Sequence, residues 1–137
     1  MPGKIPVWHI AMWKIEYHAD FEKRLKKLQK KHRRETRNAL SNADTFFRAL
    51  CAGAQPQNII RGFIHPEPHG VLAFDQSGEG KHLKATRLYT YPDEFTKTLH
   101  FITLGDKASQ DGDIRLCSAF VEGLLDSPVG DPEDSGE

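Results

Sequence analysis

Residues 84–91 read KATRLYTY, 92–97 read PDEFTK, 98–110 read TLHFITLGDKASQ and 111–125 read DGDIRLCSAFVEGLL. The first and third segments are rich in β-branched and aromatic residues and flank a Pro-Asp-Glu turn at Pro92, Asp93 and Glu94. Residues 83–91 and 98–104 are therefore expected to pair as a hairpin. Asp111 or Asp113 then caps a final helix with Ile114, Cys117, Phe120, Val121 and Leu124 on its apolar face. The polar connection between hairpin and helix carries Lys107 and Gln110. It is expected to bring them beside Arg87, Tyr89 and Tyr91 of the preceding strand, which point to one face of a pleated ribbon. A cation, an amide, an arginine and two tyrosines so grouped can hold a phosphate. The same spacing also fits tyrosines that are core or rim aromatics and an Arg87 paired with Asp93 or Glu94.

Upstream, Trp13, Ile15 and Tyr17 alternate with Lys14, Glu16 and His18, so residues 7–18 read as a first strand after a loose leader at 1–6. Asp20 stands at the start of a helical region. Phe21, Leu25 and Leu28 form one apolar stripe, and Ala39, Leu40, Ala43, Phe46, Phe47 and Leu50 a second. A break near residues 31–36 divides this into two antiparallel helices, ended by Gly53 and Pro56. Residues 54–70 read as irregular, 71–74 as a short strand and 76–81 as a glycine-containing loop. This order predicts an α+β domain, with two N-terminal helices and a C-terminal helix packed on a small antiparallel sheet. Residues 1–126 form one domain, and the acidic stretch 127–137 is expected to stay disordered because it holds almost nothing to bury.

The chain has 137 residues and a formal net charge of zero, yet residues 1–100 carry +7 and residues 101–137 carry −7. Much of the positive charge lies at Lys23, Arg24, Lys26, Lys27, Lys30, Lys31, Arg33, Arg34 and Arg37, opposed only by Glu35. Such a run is either a solvated helix face or a surface that attracts phosphate without reading bases. In the second reading Lys23, Lys27, Lys30, Lys31 and Arg34 contact the substrate, together with Tyr89 and Gln110. No apolar run approaches the ~18 residues of a membrane span, no secretory signal is evident, and Cys51 and Cys117 read as buried free thiols. These features point to a cytoplasmic protein. No metal site is expected: in the string His65, Glu67, His69, the prolines at 66 and 68 forbid the helical geometry that sets ligands on one face.

The ordered set WKIEYH, ADFEKRLKKLQKK, ATRLYTY, TLHFITL and GDKASQDGDIRLCSAFVEGL resembles the RelE/ParE toxin superfamily, in its HigB-like, phage-related branch, over about residues 13–125. The resemblance implies a cytoplasmic mRNA endonuclease, on the ribosome or free of it, neutralised by an antitoxin protein and requiring no cofactor. The substrate's own 2′-hydroxyl would attack the adjacent phosphate. Carried over by position, Arg87 and Lys107 stabilise that phosphate, Gln110 occupies the usual glutamine position, and His100 or Tyr91 moves protons. Where the family's second strand often has a basic residue, this chain has Asp75. The alternative is a non-catalytic protein-binding module, or an inactive relic, on the same fold.

Overall fold

The computed structural model describes residues 12–77 and 85–126. The leader, the beginning of the expected first strand, Gly78, Gly80 and the acidic tail 127–137 lie outside the described residues. Five strands form one sheet in the order β1-β5-β4-β3-β2. They are β1 (Lys14–Tyr17), β2 (Ile64–Pro66), β3 (Leu72–Asp75), β4 (Thr86–Asp93) and β5 (Thr98–Asp106). Three helices, α1 (Ala19–Lys31), α2 (Arg33–Cys51) and α3 (Gln110–Asp126), cover it.

The sheet is mixed, a correction to the antiparallel sheet expected above. β1 runs parallel to β5, with Lys14 opposite Thr98 and Tyr17 opposite Phe101, while the other pairs are antiparallel. The reason lies in the connection. The two helices after β1 return the chain to the same end of the sheet, and so long a crossover permits parallel pairing. The irregular segment 54–70 also contains a strand. β2 is short, edge-placed and carries Pro66 at its end, a setting in which a sheet tolerates a missing N–H.

The alternation at β1 divides as expected. Trp13 and Ile15 enter the core beneath α1 and α2, which also holds Phe21, Leu28, Ala39, Ala43, Phe46, Leu50, Phe74, Leu88, Leu99 and Leu104. Glu16 and His18 turn to the opposite face. α1 begins at Ala19, so His18, not Asp20, precedes it, and Asp20 and Glu22 place negative charge in its first turn. The break between helices narrows to one residue, His32, with φ −132° and ψ 65°. Its N–H donates to Leu28 O, and Thr36 Oγ1 donates to the same carbonyl. Phe21, Leu25, Leu40 and Asp44 border one groove, so α1 and α2 run antiparallel.

α3 packs on the other face. There Cys117 and Val121 meet Val71, Ala73, Tyr89 and Ile102, with Ile114, Phe120 and Tyr91 at the margin. Its start differs from the expected Asp111 or Asp113 cap. Asp106 accepts from the N–H groups of Ala108 and Ser109, and Ser109 Oγ accepts from Asp106 N–H, a reciprocal cap on the short turn Lys107–Ser109. Asp113 instead points inward and is 1% exposed. It accepts from Arg24 Nη2 at 3.1 Å and from Ser109 Oγ at 2.7 Å, while Arg24 Nη1 donates to Leu104 O at 2.7 Å. Burial pushes the Asp113 carboxyl above its ordinary pKa, against the pull of Ser109 and Arg24. Gly105 leaves the space this arrangement needs, because a Cβ there would overlap both Asp113 Oδ2 and Ser109 Oγ.

Gly105→Ala should therefore destabilise the domain by about 1–3 kcal/mol, the usual cost of overpacking a filled interior. Urea denaturation should show a lower midpoint at unchanged slope; an unchanged midpoint would contradict the arrangement.

Candidate nucleic-acid interface

The residues that the sequence suggested for one phosphate site fall into two groups along the β4–β5 hairpin. Arg87 lies opposite Gly105, at the end where β5 leads into Lys107 and Gln110. Tyr91 lies opposite His100 near the turn, with ring centroids 6.3 Å apart. Tyr91 is four positions along the strand from Arg87, about 13 Å at ~3.3 Å per residue. The two cations expected at a phosphate and the two residues expected to move protons therefore stand at different ends of the hairpin.

At the first end, Arg87 is half-buried and faces Glu67 Oε2 at 3.6 Å, and Glu67 is the partner that sequence spacing did not single out. The Arg87 Nε is buried without a hydrogen-bond partner among the described residues. Beside it, His65 Nε2 meets Asp75 Oδ2 at 2.5 Å, and Asp75 pairs in register with Arg87. His69 meets Ser118 Oγ at 3.2 Å and Glu122 at 3.5 Å. The string His65, Glu67, His69 thus disperses: its three residues meet four partners, Asp75, Arg87, Ser118 and Glu122. Tyr89 is 0% exposed within the core under α3, where burial raises its hydroxyl pKa, so it is not offered to a ligand. Cys117 is buried and its thiol is pushed up to about 12 by burial.

Lys107 is exposed and borders a cleft with Ala85, Asp106 and Ala108. Asp106 also borders a second cleft, of about 210 Å³, together with Arg24, Lys27, Lys31, Gly105 and Ser109. The α1 cations and Lys107 consequently approach the same connection. Lys23, Lys26, Lys27, Lys30, Lys31, Arg33, Arg34 and Arg37 are exposed, and Lys30, Arg33 and Arg37 border a further groove with Gln29 and Thr36. Arg24 is the member of the run that turns inward, to Asp113. Gln110 is half-buried at the first residue of α3.

At the second end, His18 Nε2 lies 2.8 Å from His100 Nδ1, and Glu16 Oε1 lies 3.7 Å from the same nitrogen. Phe120 packs edge-on against both imidazoles. His100 is 6% exposed, and burial followed by the neighbouring His18 lowers its pKa. The sequence named His100 alone. Glu16 and His18 gave the local signal of sharing a strand face, and only the β1–β5 pairing brings them to His100.

No family model, curated protein or solved structure matches the chain. Among the described residues no helix is long and apolar enough to cross a membrane.

Asp75 supplies a pH test of this face. Burial raises its pKa, but hydrogen bonds from His65 and Ser77 outweigh that and hold it below its ordinary value. An acid with a lowered folded-state pKa contributes stability that is complete above its unfolded value, near 3.9, and is lost as pH falls through the folded value. Denaturation midpoints should therefore decline from pH 5 toward pH 3, and Asp75→Asn should make that decline shallower. An equally steep decline in the variant would show that the pair is not formed.

Proposed function

We propose that this chain is a RelE-like, RNA-acting protein that docks the phosphate backbone on the exposed face of α1. In this reading it is a toxin-like mRNA endonuclease of the cytoplasm, restrained by an antitoxin protein. The observation that carries the proposal is the convergence of Lys27 and Lys31 with Lys107 on the two clefts that share Asp106. Successive phosphates seated in the two clefts would meet Lys27 and Lys31 from α1 and then Lys107 from the connection, past the Asp106 carboxylate, and neighbouring phosphates would continue along Lys23, Lys30 and Arg34. The RNA's own 2′-hydroxyl gives up its proton to solvent and bonds to the adjacent phosphorus, the bond to the 5′-oxygen of the next nucleotide breaks, and that oxygen leaves and takes a proton from solvent. The protein's contribution is positive charge placed before the reaction begins, from Lys107 and from Arg87 once Glu67 yields it.

The non-catalytic reading has an observation of its own. Arg87 is engaged by Glu67, and Tyr91 and His100 stand about 13 Å along the strand from it, so no proton carrier named here adjoins the cations. A protein that holds RNA or a protein partner without cleaving it needs only the basic face.

Two measurements separate these readings. Fluorescence anisotropy with a single-stranded RNA should show salt-dependent binding. In Lys27→Ala/Lys31→Ala the slope of log affinity against log salt should shrink by about 1.4, at ~0.7 per lost phosphate contact. An unchanged slope would remove α1 from the interface. Induced expression should arrest growth and fragment mRNA, and Arg87→Ala or Lys107→Ala should slow cleavage by about 10²–10³-fold. Binding without fragmentation would select the non-catalytic reading.

A further inference from the structure

The cluster of Glu16, His18 and His100 has no part in the phosphate chemistry proposed above. It lies at the other end of the hairpin, where one potential ligand atom from each residue falls within 4.8 Å of the other two. Two elements converge to make it. Glu16 is on β1 and pairs in register with His100 on β5, and His18 is the residue from which α1 departs.

We propose that Glu16, His18 and His100 form a binding site for a divalent transition-metal ion of the zinc type, with its fourth position open. Two imidazoles and one carboxylate are a donor set that suits zinc, which favours nitrogen and oxygen ligands in tetrahedral array. Bonds of about 2.0–2.1 Å in that array set neighbouring ligand atoms roughly 3.3 Å apart. The observed 2.8 Å between His18 Nε2 and His100 Nδ1 and 3.7 Å between His100 Nδ1 and Glu16 Oε1 bracket this value. The third pair, between Glu16 and His18, lies within 4.8 Å, so rotation of the exposed Glu16 side chain would close the cluster into a coordination sphere. Glu16 is on the surface and gives the ion a route in, and it leaves the remaining position to water or a ligand oxygen.

The surroundings bear on affinity. Phe120 and Tyr91 hold the His100 ring by packing. The far nitrogen, His100 Nε2, is buried without a hydrogen-bond partner among the described residues. Metal-bound imidazoles usually donate that N–H to a carboxylate or carbonyl, and losing such support weakens binding by about 10–100-fold. The site is therefore expected to bind more weakly than one whose imidazoles have that support. The bound ion would clamp β1 to β5 and fix the start of α1.

Calorimetric titration of the full chain with Zn²⁺ tests this, with Co²⁺ added separately to read coordination from its visible spectrum. The wild type should bind one equivalent at this site, and Co²⁺ should give the intense bands of four-coordination. His18→Asn should weaken the event by at least ~10²-fold, since a direct ligand matters more than its support. Glu16→Gln, an exposed change that leaves the core intact, should weaken it by about 10-fold or more. His65→Ala/His69→Ala should leave it unchanged. Circular dichroism confirms that each variant is folded. The proposal is overturned if the wild type takes up no Zn²⁺ at ~100 μM, or if both His18→Asn and Glu16→Gln bind as the wild type does.

Discussion

Asp113 carries its carboxylate into the interior between the guanidinium of Arg24 and the hydroxyl of Ser109. Arg24 belongs to α1, on one face of the sheet, and Asp113 to α3, on the other. Their contact therefore joins the two outer layers past the end of β5, and the second Arg24 bond, to Leu104 O, anchors it to that strand. With Asp113 buried and Arg24 partly exposed, the pair is weak evidence for net stability, because desolvating the carboxylate consumes much of the attraction. Here burial does raise the Asp113 pKa despite its partners. The stronger consequence is positional. Removing one member would strand the other charge, so the ends of α1, β5 and α3 are held in one relative arrangement.

That arrangement orients the basic face. With Arg24 drawn inward, Lys27 and Lys31 follow at three and seven positions, on the same side of the helix. They border the Gly105–Ser109 connection for that reason, whereas Lys23, Lys26 and Lys30 are exposed but do not border that cleft. The hairpin then has two chemically distinct ends. One gathers cations around Asp106. The other gathers two imidazoles, a carboxylate and aromatic rings. A pleated strand can place Arg87, Tyr89 and Tyr91 on one face, as their spacing suggests, and still keep the first and last too far apart to act on the same atom.

The sequence made the helices and the hairpin legible because each is a local pattern. Phe21 with Leu28, and Ala39, Ala43, Phe46 and Leu50, mark buried stripes at helical spacing, and residues 86–106 alternate around a turn. What depended on distant residues was not legible. β2 was hidden by Pro66 and Pro68, which read as loop until β3 covers one side of the segment. Asp113 resembled a cap because its partner, Arg24, comes 89 positions earlier. Arg87 was sought by Asp93 or Glu94 and is met by Glu67, which a three-residue edge strand brings alongside. Of the suggested site residues, the exposed cations of α1 and Lys107 are where helical spacing and the connection put them. Tyr89 is enclosed, because the side of β4 it shares with Arg87 and Tyr91 is the side that α3 covers.

The parallel pairing of β1 with β5 also sets an order in time. His18 meets His100, 82 positions later in the chain. Contacts of such separation are slow to form, whereas α1, α2 and the β4–β5 hairpin close over short loops. During synthesis at about 5–20 residues per second, residues 14–17 would wait several seconds for 98–101 to emerge. Through that interval Trp13 and Ile15 have no sheet to lie against, and the strand's N–H and C=O groups have no neighbour. An unpaired strand with apolar side chains is a template for association between chains. Lys14 and Glu16, interleaved with those side chains, are the charges that oppose such association until β5 arrives.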